Sequence, residues 1–198
     1  MTAVEADMTA VTQLVLRERQ GRDRGWWQRM RDSLAPDARV AISWFRGSGE
    51  EFVTASEAMA KGGTQAVHRM GPPVVDVAGD RAVVEAPAAI CLRLHLDAVE
   101  ADLTSHTRLL YRAERRAGRW WLTALDPVYA GDTLSPVVPG EVPRLDRDRL
   151  AAHRPSYRFL GYCLEEQGHP VARDLHGDDR PEGVAALLAD AYAWLRAA

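Results

Sequence analysis

The sequence predicts an α+β fold in which helices come first, a curved antiparallel sheet follows, and a helical extension closes the chain. Three observations carry that reading. Apolar residues recur at helical spacing before residue 35, the period drops to two between Thr64 and Tyr129, and prolines then interrupt the pattern before helical spacing returns. At 198 residues with 46% hydrophobic and 27% charged side chains, the chain can build an apolar core without disulfides or metals.

Residues 9–34 read as helix, with a break near Gly21 or Gly25. Leu16, Asp23, Met30 and Leu34 fall within about 20° of one another at 100° per residue, so an acid interrupts an apolar stripe. Trp26 and Trp27 flank it. Arg39–Phe45 has the β-branched and aromatic content of a strand. Ser48 with Glu51 forms a capping box that opens a short helix ending at Gly62-Gly63.

The strand candidates that follow are 64–70, 73–78, 81–96, 101–116 and 119–129, with tight turns at Gly79-Asp80 and Ala117-Gly118. In the long strand Val84, Ala86, Ala88, Ile90, Leu92, Leu94 and Leu96 share one face, while Arg81, Glu85, Arg93 and His95 share the other. One side is therefore buried and the other wet. Pro136, Pro139 and Pro143 mark a linker. A helix over Arg147–Gln167, split at Pro155, and a last helix over Pro181–Ala197, capped by Asp179 with Glu182, complete the chain. The expected division is 1–135 for the α+β unit and 136–198 for the linker and extension.

Several function classes are excluded. No apolar run is long enough for a membrane helix, and the N-terminal MTAVEADMTA lacks the basic and apolar regions of a secretory signal. Cys91 and Cys163, far apart in sequence, suit a reducing, cytoplasmic setting as free thiols. All of the 25 basic residues except Lys61 are arginine, but the net charge is −3, so nucleic acid is not the expected partner. The arginines of the first helix (Arg17, Arg19, Arg22, Arg24, Arg29, Arg31) read as a solvated face, with an anion clamp as the competing reading. Cys91 and His95 share an outward strand face, which gives no zinc-like spacing, and no metal or organic cofactor is expected.

What remains is a set of polar residues at apolar positions. Asp23 lies on the helix stripe. His68 sits in VHRM on the face of Ala66 and Met70. His106 shares a face with Thr104 and Leu110, and Asp126 follows WWLTAL on the face of Trp120, Leu122 and Ala124. Convergence of these four would supply the partnered, partly desolvated groups that acid–base chemistry needs. The competing readings are a helix cap for Asp23, a core or edge histidine for His106 and His68, and a turn opening for Asp126 before Pro127.

The element order, with RDRGWWQRMRDSLAPDARVAISWF at 22–45, resembles the SnoaL-like branch of the nuclear-transport-factor-2-like superfamily, and within it the scytalone dehydratase family. That resemblance covers about residues 9–132. It implies a cone-shaped pocket between sheet and helices, a small-molecule substrate and a homodimer formed through the sheet. Asp23, four residues before Trp27, matches the family's water- and histidine-holding acid, and His68 in AVHRMG matches its general acid–base. His106 aligns with a histidine ahead of a pocket-lining Ser and Asn, which read Thr107 and Leu109 here. The family's second catalytic histidine falls near Leu92, and its two tyrosines near Ile42 and Arg22, which argues against the dehydratase's own substrate. Trp27, Met30, Trp44, Leu92, Thr104 and Tyr129 are the candidate substrate-lining residues. The expectation is an acid–base dehydratase or isomerase acting through His68 and Asp23 on a hydrophobic oxygenated molecule. Asp126 and His106 would be secondary contacts. A polyketide-type cyclase with Asp126 as base, and a binding or assembly module without chemistry, stand as alternatives.

Overall fold

Thr2 starts the first helix. Its hydroxyl accepts from the Glu5 N–H while the Glu5 carboxylate accepts from the Thr2 N–H, so two otherwise unpaired donors are satisfied. This is helix α1 (Ala3–Arg24) of a computed structural model that describes residues 2–197. It ends at Gly25, whose φ of 66° is a left-handed cap that only glycine adopts without strain. A short helix α2 (Trp27–Arg31) folds back, and β1 (Leu34–Ala41) begins at once. The helix expected over 9–34 is therefore two helices, and Leu34 belongs to a strand.

The strand expected at 39–45 ends at Ala41, and Ile42–Phe45 turns into β2 (Arg46–Ser48). Ser48 and Glu51 then form the expected capping box of α3 (Gly49–Lys61). Next come β3 (Ala66–Met70), β4 (Val74–Ala78), β5 (Arg81–Leu96), β6 (Val99–Arg116) and β7 (Arg119–Pro136). The sheet order is β2-β1-β7-β6-β5-β3, with β4 pairing the other half of β5. The pairs are antiparallel except that β1 runs parallel to β7, as does the two-residue β8 (His176–Gly177).

Strand β6 pairs with β5 without a slip, but its pairing with β7 shifts twice. Arg112 faces Ala124 and Ala113 faces Leu122, so Thr123 is extra. His106 faces Gly131 and Thr107 faces Tyr129, so Ala130 is extra. Each bulge bends the strand and reverses which face the later residues show. Trp120 and Leu122 therefore point into the core before the first bulge, and Leu125 does so after it.

The tail shares the core of the preceding unit. Residues 147–167 split around Pro155 into α4 (Arg147–Ala151), a 3₁₀ turn at Pro155–Tyr157 and α5 (Arg158–Glu166). Tyr157, Leu160 and Leu164 are buried against Leu92, Leu103 and Tyr129, closing the wide end of the sheet. Helix α6 (Pro181–Arg196) lies on the outer face instead, where Ala191 and Leu195 cover Val83 and Leu110. Trp194 sits against the Arg81 and Arg112 guanidiniums, 5.0 and 5.3 Å from its ring centre. The expected Asp179 cap does not form, because Arg154 and Ser156 take its carboxylate. The two units drawn at residue 135 thus interlock on both faces of one sheet. Among the described residues no helix is long and apolar enough to cross a membrane.

Candidate active site

The concave face of the sheet, α1, α3 and α5 border a small cavity of about 50 Å³. Its walls are mostly apolar, including Ile90, Leu92, Leu125, Leu160 and Leu164, with a few polar groups among them. The lining is of the kind small-molecule pockets have, while the free volume is well below the roughly 300 Å³ at which such pockets begin, so a guest needs the walls to open.

Strand β3 delivers His68 into this space, because the i, i+2 alternation that points Val67 and Arg69 outward points Ala66, His68 and Met70 inward. Helix α1 delivers Asp23 on its last turn. The carboxylate meets the strand twice: Oδ2 accepts from the His68 backbone N–H at 2.7 Å, and Oδ1 lies 2.6 Å from His68 Nδ1. Both side chains are largely buried. Burial pushes the His68 imidazole below the ordinary histidine range, only partly offset by its bond to Asp23. Burial also acts to raise the Asp23 carboxyl, but its contacts with His68 outweigh that and hold it below the usual value. The arrangement is a neutral ring that donates Nδ1–H to Asp23 and whose Nε2 lone pair, at the cavity wall, accepts from Arg19.

Facing Nε2 at 3.4 Å is Arg19 Nη1. Arg19 is itself clamped by the carboxylate of its sequence neighbour Glu18, with Nε 2.5 Å from Oε2 and Nη2 on Oε1. Tyr111 donates its hydroxyl to Glu18 Oε2 at 3.0 Å. Burial alone would lower the Arg19 pKa, but the Glu18 charge more than reverses it and keeps the guanidinium charged. Arg22, one turn on, also lines the cavity and is pulled down to about 10 by burial and by Arg19. The expectation that these helix arginines form a solvated face fails for Arg19 and Arg22, which are 4% and 5% exposed.

The four expected polar residues do not all converge. Asp23 and His68 meet. His106 is exposed on the outer face of β6, and Thr104 shares that face, because positions 103, 105, 107 and 109 are the inward set. Asp126 is buried, but on the far side of the sheet. The Thr123 bulge turns Leu125, Pro127 and Tyr129 into the cavity and Asp126 away, where Arg39 binds both its oxygens. Of the expected lining residues, Trp44, Leu92 and Tyr129 border the cavity. Met30 is packed in the core and Trp27 against it, away from the opening. The Tyr129 hydroxyl accepts from the Ser43 N–H at 3.0 Å, anchoring the turn that carries Trp44.

Sequence reasoning missed Glu18, read Arg19 and Arg22 as a solvated face with an anion clamp only as the competing reading, and missed Tyr111 and the two α5 leucines. A signal existed for the first three: Val11, Val15, Glu18 and Arg22 recur at helical spacing and form the buried stripe of α1. Among the described residues no cluster of His, Cys, Asp and Glu could hold a metal ion.

A helix-backed, open curved sheet with its polar groups inside defines the SnoaL-like class, and the chain belongs to it: residues 4–126 match the SnoaL-like domain family. The chain is 31% identical to pea pathogenicity protein 2 of Fusarium vanettenii over 190 residues, covering 91% of this chain and 82% of that protein. It is also 31% identical to an uncharacterised protein of Emericella nidulans over 172 residues, covering 82% and 72% of the two chains. Among solved structures, a type 2 hexachlorocyclohexane dehydrochlorinase superposes with a TM-score of 0.57 at 14% identity, covering 72% of this chain and 95% of the other. A presumed scytalone dehydratase from Novosphingobium aromaticivorans gives 0.52 at 11% identity over the same shares. At those identities the structural likeness speaks for the fold alone.

Proposed function

We propose that the cavity is the active site of an acid–base enzyme of the dehydratase or isomerase type, acting on a hydrophobic oxygenated small molecule. The observation that carries this is the 2.6 Å contact of Asp23 with Nδ1 of His68, a residue whose other side lines the apolar cavity. Asp23 accepts a hydrogen bond from Nδ1–H, fixes the ring and steadies its cation, leaving Nε2 as the base. Nε2 takes a proton from carbon beside a carbonyl, and the electron pair moves into an enolate. The imidazolium then returns its proton. Delivery to a departing hydroxyl releases water, and delivery to another carbon completes an isomerisation. Two proteins that share this fold carry names of elimination enzymes, which supports the reading without fixing the substrate.

A cyclase that uses Asp126 as base has no support from the geometry, since that carboxylate sits outside the cavity in a pair with Arg39. The reading without chemistry is separated by experiment. Cyclic ketones incubated in deuterated water with the protein are expected to exchange their α-protons, followed by proton NMR. His68→Asn should slow this by about 10²–10⁴-fold, and Asp23→Asn by a large share of that. Equal exchange with wild type and His68→Asn, or none with wild type, rejects the proposal.

A further inference from the structure

Arg22 is a buried cation that, among the described residues, no carboxylate neutralises by contact. Its residue is 95% removed from solvent by its 5% exposure, yet its one side-chain hydrogen bond runs from Nη2 to the thioether of Met59 at 3.3 Å. A thioether is a weak acceptor, and a guanidinium carries five N–H donors. The neighbouring arginine shows the contrast: Arg19, equally buried, has the Nε–Nη2 edge of its guanidinium taken by Glu18 and its Nη1 turned to His68. Arg22 has no carboxylate within ion-pair distance, because Glu18 is committed to Arg19 and Tyr111, and Asp23 to His68. Leaving such a group unpaired inside a protein costs free energy, so a site that keeps one has a use for it.

Arg22 and His68 line the same cavity, one from α1 and one from β3. We infer that Arg22 is an oxyanion receptor, and that the ligand of this cavity presents an anionic oxygen, an enolate, phenolate or carboxylate, to its guanidinium. The inference rests on the reading of the cavity as a ligand site and narrows its substrate class. In the proposed chemistry, the proton removed by His68 leaves negative charge on the carbonyl oxygen, and Arg22 is the free cation in the cavity available to hold it. Arg22 keeps its charge at neutral pH even after burial. The apolar surroundings of Leu125, Leu160 and Ile90 strengthen that attraction relative to water.

The test uses 4-nitrophenol, whose ionised form has its own visible absorption band, and the pair benzoate and benzamide. With wild-type protein, bound 4-nitrophenol should ionise at least one pH unit below its free value, which is a tenfold preference for the phenolate. Benzoate should likewise bind at least tenfold more tightly than benzamide by calorimetry. Arg22→Met should abolish both preferences, Arg22→Lys should retain part of them, and His68→Asn should leave them in place. Absence of binding by every probe at millimolar concentration, equal affinity of wild type for benzoate and benzamide, or a preference that survives Arg22→Met overturns the inference. The wild-type comparison decides even where Arg22→Met fails to fold. Loss of preference in His68→Asn with retention in Arg22→Met would move the receptor to the imidazole and overturn it as well. Because these are binding measurements, anion preference without proton exchange refutes the acid–base reading alone.

Discussion

His68 and Asp23 bind each other through two different bonds, and the second has a direct electrostatic consequence. The backbone N–H of His68 pins one carboxylate oxygen, so the other is held where only the ring of the same residue can use it. The ring's proton affinity is then a balance between burial and Arg19 on one side and Asp23 on the other. An NMR titration of the His68 ring should give a midpoint below the ordinary histidine value of about 6.5. Asp23→Asn should lower it further, because the carboxylate favours the protonated ring. A midpoint at or above 6.5 would contradict the burial seen here. The same sign governs stability. Below about pH 6.5 the unfolded chain holds a proton the folded ring resists, so stability falls as pH drops from there through the folded midpoint. This pairing was partly legible in the sequence, since both residues stood out as polar on apolar faces. Their contact was expected from the family resemblance and not from the residues alone, because spacing does not say that α1 ends at Gly25 beside β3.

At the scale of elements, α1 and β7 explain most of what the sequence concealed. Along α1 the buried residues are Val11, Val15, Glu18, Arg19, Gly21 and Arg22, so half of an inward helical face is charged. A hydropathy reading turns those charges toward solvent. Glu18 is fully buried, so Glu18→Ala would strand the Arg19 guanidinium in the core. The expected loss is about 3–5 kcal/mol, read from urea unfolding. A loss below about 1 kcal/mol would mean that Arg19 finds water or another partner. In β7 the difficulty is parity. Strict alternation puts Asp126 on the face of Trp120 and Leu122, and the extra residue at Thr123 inverts it. No composition signal marks that bulge. By contrast β5 and β6 pair without a slip, and the inward set of β5 follows directly from the alternation of Val84 through Leu96, whereas the parity of β6 was read one residue out at Thr104 and His106.

For the whole molecule, the order of elements and the strand segments were readable because long β5 and β6 carry strong alternation and glycine turns. The role of the tail was not, because the stripe of α6 and the apolar face of α5 do not say which surface they cover. The structure sends α5 to the concave side and α6 to the convex side. Ending the chain after Pro136 should therefore uncover Leu92, Leu94, Leu103 and Tyr129 at one end and Val83 and Leu110 on the other face. Such a fragment is expected to aggregate or to bind an apolar dye strongly, measured by size-exclusion chromatography and fluorescence. A monodisperse, dye-silent fragment would show that the first unit stands alone.

Leu160 and Leu164 have one more implication. The groups that would move protons come from the first seventy residues, whereas part of the wall against which a guest rests comes from beyond residue 155. Under the proposed function, the reactive pair and part of the wall that selects a guest would then be written in separate stretches of the polypeptide. Exchanging the tail for a relative's would retune which molecules are admitted while leaving the reactive pair untouched, so this architecture can change its diet without relearning its chemistry.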